Sequence, residues 1–312
     1  MKILILGYSS LCKRKIIPIL RDKLSKAEFY ICSKSQKPQN IGELKWYRSY
    51  VEALKNSQAN LVYISLMNSQ HYYWAKKFLQ NNYHVIIDKP ATLNLKQAKN
   101  LVKIAKRKKR LLSEAVVFNY HEQIQTSLKE IKSLKNLIHV EARFTIPKLP
   151  KENFRNFKKY GGGCLLDMGS YAAATYRLFV NENYKKIFFH KLLINNKKGL
   201  NVSFTVSTLS KTKSFMGYFS FNGKYENTLT LLTKQKKLTI NRVFSPPNNQ
   251  NLILQINNGH VKKEKRLKKD DVFLNYFKSI INLLKTKKFE KSYQNILKDS
   301  FFREKLARKR NL

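Results

Sequence analysis

Short apolar runs alternate with helix-length segments through about the first 115 residues, and no other feature constrains this chain so tightly. Lys2–Leu6 ends at Gly7 and precedes a helical stretch over Leu11–Leu24. Phe29–Cys32 is a second run, and Leu61–Ser65 precedes a helix over Gln70–Asn81. His84–Ile87 leads to Pro90 and a helix near Leu95–Lys106, after which Leu111–Ala115 supplies another strand. Strands separated by helices of this length predict right-handed crossovers and a parallel sheet. Ligands on such a sheet bind beyond the carboxyl ends of the strands, so the residues just after each strand are the ones to read.

The pattern changes near residue 120. A helix over Glu122–Ser133 and a strand over Leu137–Phe144 lead through Pro147 and Pro150 to Gly161-Gly162-Gly163 and a helix reaching Phe179. Between Lys186 and Glu264 come β-rich runs at Ile187–Ile194, Leu200–Leu209, Ser214–Phe221, Glu226–Leu232, Leu238–Val243 and Leu252–Ile256. Turn signals such as Asn222-Gly223 separate them. Strands that follow one another without helices predict a mostly antiparallel sheet. Two helices, Asp271–Leu284 and Tyr293–Lys309, close the chain, and the expected division is 1–118 and 119–312.

A chain of 312 residues, 43% hydrophobic with 10 Gly and 7 Pro, can bury two cores and is neither disordered nor fibrous. Apolar runs such as Ile3–Leu6 fall far short of the ~18 residues that span a bilayer, and the stretch Met1–Gly7 is too short for a signal-peptide core and lacks a small-residue cleavage site. Cys12, Cys32 and Cys164 form no C-x-x-C, and the histidines show no metal-type cluster, so no metal is expected. A soluble, cytoplasmic protein without a membrane partner is the expectation. Lys+Arg number 62 against 19 Asp+Glu, a net charge of +43. The basic runs are scattered from Lys13-Arg14-Lys15 to Lys268-Lys269 without zinc-finger spacing or aromatic RNA-binding signatures. They read as a solvated surface rather than a specific nucleic-acid site. Their field favours anionic ligands such as phosphorylated cofactors and nucleotide-linked substrates.

Gly7-Tyr8-Ser9-Ser10-Leu11-Cys12 follows the first strand. In a full G-x-G-x-x-G the glycines allow a tight turn and close approach of a pyrophosphate to the helix N-terminus. Here Ser9 and Cys12 replace the later glycines. The segment reads either as a cradle with Ser9 and Ser10 donating to phosphate, or as an ordinary serine-capped turn. At the end of the second strand an acid would bind the ribose 2′-hydroxyl of NAD, whereas a cation accommodates the 2′-phosphate of NADP. Ser33-Lys34 stand there, and no acid follows until Glu43. The pair favours NADP over NAD, unless Lys34 is simply one more surface lysine.

Further motifs follow in order. Asn68-Ser69-Gln70-His71 comes after the strand ending at Ser65, and His84–Ile87 runs into Asp88-Lys89-Pro90. Glu114-Ala115 is followed by His121-Glu122-Gln123, then by Gly161-Gly162-Gly163-Cys164-Leu165-Leu166-Asp167-Met168-Gly169-Ser170-Tyr171. Together they resemble the Gfo/Idh/MocA oxidoreductases, with Asp88 where the family's E-K-P has glutamate and Tyr171 where many members have histidine. The resemblance covers Met1 to about Phe179. It implies an α/β protein with an N-terminal Rossmann-type parallel sheet and a C-terminal α+β domain whose mostly antiparallel open sheet mediates homo-oligomers. It implies cofactor contacts from Gly7, Ser9, Ser10, Leu11, Ser33, Lys34, Asn68, His71, Asp88 and Lys89. It also implies that Lys89, Asp167 and Tyr171 are catalytic, with His121 and Tyr171 at the substrate. The tyrosine form resembles the branch holding glucose–fructose oxidoreductase, dihydrodiol dehydrogenases and nucleotide-sugar ketoreductases.

The chemistry agrees with that carry-over. Hydride delivered to a carbonyl carbon leaves an alkoxide that needs a proton. A phenol with an ordinary pKa of ~10 becomes a better acid–base group beside an ammonium. Asp167 and Tyr171, four apart, share one helix face. The expected activity is NADP-dependent hydride transfer at a sugar or related polyol or ketone carbon, with a nucleotide-linked keto-sugar in view. The eroded glycine turn and Asp88 motivate an alternative, a family member without turnover that serves as a cofactor-binding scaffold.

Overall fold

The computed structural model describes residues 1–24, 27–34, 45–182 and 188–308. Glu43, Lys186, Ile187 and Lys309 lie outside them. The chain divides into two compact units: Met1–Ala115 with Tyr276–Ser300, and Val116–Asn275 with Phe301–Leu312.

The first unit is built on six strands: β1 (Lys2–Leu6), β2 (Glu28–Cys32), β3 (Trp46–Tyr47), β4 (Leu61–Ile64), β5 (His84–Asp88) and β6 (Leu112–Ala115). Their order is β3-β2-β1-β4-β5-β6, and every pairing is parallel. The order reverses between β1 and β4, which opens a crevice beyond their carboxyl ends. Such a sheet is covered on both faces, which explains why its strands read as continuous apolar runs. Ile3, Leu4, Ile5, Leu6, Val62, Tyr63, Ile86 and Ile87 have no exposed surface. The crossovers carry α1 (Tyr50–Asn56), α2 (Asn68–Gln80) and α3 (Leu95–Lys108). The expected Leu11–Leu24 helix includes two π-helical segments, Cys12–Ile16 and Ile19–Lys23, flanking Pro18, which has no N–H to give.

The second unit holds α4 (Glu122–Ile131), β7 (Leu137–Thr145), α5 (Cys164–Thr175) and β8 (Phe188–Asn195). β9 (Asn201–Leu209), β10 (Ser214–Ser220), β11 (Glu226–Thr233), β12 (Lys237–Asn241), β13 (Ile253–Asn257) and β14 (Lys262–Arg266) complete its sheet. The order is β14-β13-β12-β11-β7-β10-β9-β8, antiparallel except where β10 meets β7. One face packs on α5 through Phe204, Phe215, Phe219, Leu229, Leu231 and the alanines of that helix. β14 departs from expectation: Lys262-Lys263-Glu264-Lys265-Arg266 carries no apolar alternation, and all five residues are exposed. An edge strand held by backbone pairing to β13 needs no apolar face, and its charges discourage further pairing.

Two helices close the chain, α6 (Val272–Thr286) and α7 (Glu290–Ala307). The expected boundary at 118/119 puts both in the second domain, whereas Tyr276–Ser300 groups with the first unit. A parallel sheet must be covered, and this segment supplies the cover at β4–β6. Tyr276 hydrogen-bonds Ser113 at 2.9 Å, and the Phe277 ring lies 6.0 Å from that of Tyr63. Phe289 meets His84 edge-on at 5.7 Å, and Ser292 donates to the Leu112 carbonyl at 2.7 Å.

Candidate functional site

In the first unit the motif residues gather at the carboxyl edge of the sheet, because that is where each crossover leaves its strand. Gly7 leaves β1 at φ +102°, and its N–H donates to the Cys32 carbonyl at the end of β2 (2.9 Å). A β-carbon at Gly7 would collide with the Ser65 carbonyl and lie 2.7 Å from the Leu66 side chain. Only glycine therefore fits between β1 and β4.

Ser9 then caps the helix: its Oγ accepts the Cys12 N–H at 3.1 Å and lies 2.7 Å from the Ser65 Oγ. Cys12, at the third position of the eroded glycine fingerprint, is fully buried. Burial and then Asp88 push its thiol up to about 12, so it fills space rather than reacts. The replaced glycines have become a capped, packed turn rather than a damaged one, which removes one motive for the scaffold reading. Helix-initial N–H groups beyond Gly7 have no intrahelical acceptor, and that is the donor set a pyrophosphate requires. At the end of β2, Ser33 is buried and Lys34 is exposed, its Nζ 4.7 Å from the Tyr50 ring centroid. Among the described residues no carboxylate stands directly after β2.

Asp88 and His71 are both hydrogen-bonded among the strand ends. Asp88 Oδ1 accepts from the Tyr63 hydroxyl and Oδ2 from the Ser65 hydroxyl. Burial raises its pKa, opposed by those two hydroxyls, His71 and Lys89. His71 is fully buried, with Nδ1 2.8 Å from the Pro90 carbonyl and Nε2 3.0 Å from the Leu66 carbonyl. It ties the loop after β4 to the loop after β5. Asn68, buried, opens α2 in the same loop. Lys89 is half-buried at the exit of β5 and joined to Pro90 by a cis peptide.

In the second unit, Gly161 and Gly163 adopt φ +74° and +104°, and a β-carbon on Gly162 would strike the Arg155 carbonyl. The glycine run lets the chain press against residues 155–157 before α5 begins. Asp167, in the first turn of α5, is buried and pairs with the Arg155 guanidinium at 2.9 Å. Arg155 is a site residue that no motif in the sequence marks. The available signal was that a buried carboxylate demands a cation, and 62 cations leave that demand unassigned. Tyr171 is half-buried, and its ring centroid lies 5.9, 5.4 and 5.2 Å from those of Phe118, Phe144 and Phe244. Three aromatic neighbours leave the ring little rotational freedom. His121 is buried and caps α4, its Nδ1 accepting the Gln123 N–H at 3.1 Å. Burial lowers its pKa against an opposing pull from Asp270, and the cap puts its proton on Nε2.

Residues 1–116 match the model of an oxidoreductase family with an NAD-binding Rossmann fold, Gfo/Idh/MocA. A dTDP-3,4-didehydro-2,6-dideoxy-alpha-D-glucose 3-reductase of Saccharopolyspora spinosa is 26% identical over 277 residues, 86% of this chain and 82% of that protein. A trans-1,2-dihydrobenzene-1,2-diol dehydrogenase of Xenopus laevis is 28% identical over 44% of this chain and 43% of its own. Among solved structures, KijD10, a 3-ketoreductase from Actinomadura kijaniata in complex with NADP and TDP-benzene, superposes with a TM-score of 0.90 at 21% identity. The superposition covers 98% of this chain and 96% of that one, and shows the fold to be shared. These comparisons give no support to a family member without turnover.

Proposed function

The chain belongs, through its first 116 residues, to the Gfo/Idh/MocA oxidoreductase family, and from that premise we propose that it is an NADP-dependent reductase of a nucleotide-linked keto-sugar. The observation that carries the reading is the clustering at one sheet edge. The capped turn at Gly7–Cys12, the acid-free Ser33-Lys34 and the half-buried Lys89 all leave the carboxyl ends of adjacent parallel strands. The nicotinamide, when bound, supplies the hydride. Gly7, Ser10 and Leu11 would present backbone and hydroxyl donors to the pyrophosphate, with Lys34 beside the 2′-phosphate.

Lys89 polarises the carbonyl oxygen and stabilises a neighbouring phenolate. Tyr171 gives the alkoxide its proton. Asp167, fixed by Arg155, orients the substrate. The sugar's diphosphate is drawn by the chain's positive field. The exposed row of Leu192, Ile194, Met216 and Tyr218 lies on one face of β8–β10 and is the surface we assign to a homo-oligomer.

Fluorescence titration with NADPH and NADH, followed by NADPH oxidation with a panel of dTDP- and UDP-linked keto-sugars, tests the reading. Preferential NADPH binding and turnover of at least one such sugar is expected. Tight NADPH binding with no turnover across the panel would overturn the substrate class, and no binding of either cofactor would overturn the whole.

A further inference from the structure

Within the first unit a line of hydrogen bonds runs under the phosphate turn and ends on a carboxylate. Tyr63 has no exposed surface and Ser65 almost none, and both donate to Asp88. An ionised carboxylate accepts only, and a serine hydroxyl owns one proton. Ser65 spends that proton on Asp88 Oδ2, so at its 2.7 Å contact with Ser9 it must accept. Ser9 in turn accepts the Cys12 N–H and donates to Ser65. Every proton in the line points towards Asp88. The line thereby has a direction, whereas the resemblance alone implies a cofactor contact for both Ser9 and Asp88.

We propose that Asp88 is a positioning residue that acts through Ser65 to turn the Ser9 hydroxyl inward, so that Ser9 holds the turn while Ser10 and the backbone amides receive the phosphate. The proposal rests on the NADP reading for its ligand but not for its geometry. Asp88 sits one residue before Lys89, so the same carboxylate fixes the exit of β5 and the shape of the turn after β1. His71 steadies the far side of that exit from the Pro90 carbonyl. A shorter acid than the family's glutamate suits this arrangement, because the acceptor must stay at the strand end to meet both Tyr63 and Ser65.

Hydrogen–deuterium exchange on the cofactor-free protein reads the geometry directly, at the segment containing the Cys12 amide. Ser65→Ala and Asp88→Ala are each expected to speed exchange there by about tenfold, whereas Ser65→Thr, which keeps the hydroxyl, stays near the parent rate. NADPH titration reads the consequence. Ser65→Ala and Ser9→Ala should each weaken binding about tenfold and the double variant no further, since they cut one line. Ser10→Ala should weaken binding without changing exchange. Parent-like exchange in Ser65→Ala overturns the proposal. So does a Ser9→Ala loss that adds to that of Ser65→Ala, because Ser9 would then have a partner outside the line. If the parent protein binds no NADPH, the proposed function falls while the exchange arm still decides this inference.

Discussion

The two units hold their candidate residues by different means. In the first, Gly7, Ser9, Ser65, Asp88 and His71 are bound to one another by hydrogen bonds between neighbouring strand ends. In the second, Asp167 and Tyr171 ride on one helix, the acid paired with Arg155 and the phenol packed against Phe118, Phe144 and Phe244. A parallel sheet brings its strand ends together as a consequence of topology, so the first site is a property of the fold. The second depends on a helix entered through a glycine run and on side chains distant in sequence. The first should therefore tolerate little change in backbone, and the second little change in packing.

Removing the two groups proposed to react should give the largest effects. Lys89→Ala is expected to lower kcat by about 10³–10⁴-fold while NADPH affinity changes little, since an ammonium that stabilises developing charge contributes on that scale. Tyr171→Phe keeps the ring among Phe118, Phe144 and Phe244 and removes one oxygen. Its kcat should fall by about 10²–10³-fold with an unchanged melting temperature. Near-native turnover in either variant would detach that unit from the chemistry.

The glycines compare the two backbones. Gly7→Ala forces a side chain into a left-handed φ and against the Ser65 carbonyl, and should cost about 3 kcal/mol in urea unfolding. Gly162→Ala meets the Arg155 backbone and should cost a similar amount, while also displacing the cation that holds Asp167. If Gly162→Ala lowers kcat with full stability, the glycine run serves the site more than the fold.

Acid should act on the first unit. Burial and Arg110 bring His84 down to about 4, and its Nδ1 accepts the Leu111 N–H at 2.9 Å, so the folded chain holds it neutral. The unfolded chain takes up that proton near ~6.5, hence stability is complete above that pH, falls as pH drops towards 4 and levels below it. A loss of about 3 kcal/mol at most is expected across that window, less what solvent screening takes from a half-buried ring. His84→Gln, with an amide oxygen in the same place, should flatten it; an unchanged slope would assign the acid sensitivity elsewhere.

What was legible in the sequence follows from the same contrast. Apolar period and turn residues locate strand ends, so Gly7, Ser33, Lys34 and Lys89 could be put at one edge before any coordinates. Position along a strand does not tell which way a half-buried polar group turns. The resemblance puts Asp88 at the cofactor, but only the fold shows that its oxygens accept from Tyr63 and Ser65. Arg155 and Phe244 were invisible because their partners lie 12 and 73 residues away, at Asp167 and Tyr171. β14 was missed because backbone pairing alone holds it.

The smallest expected effect separates a specific cation from a general field. Lys34 is exposed in a chain of net charge +43, so its removal changes the long-range potential hardly at all. Its local position is set by the Tyr50 ring, 4.7 Å from Nζ, on a helix whose first residue is that tyrosine. If the ammonium meets the 2′-phosphate, Lys34→Ala should weaken NADPH about tenfold, near ~1.4 kcal/mol, and leave NADH unchanged. Tyr50→Leu, which frees the lysine without removing it, should weaken NADPH by about threefold, the scale of an exposed cation–π contact. Raising salt should shrink both differences, as it screens exposed charge. Equal losses for the two cofactors would move Lys34 from the 2′-phosphate to the shared pyrophosphate, and cofactor choice would then rest on Ser33 and the neighbouring backbone.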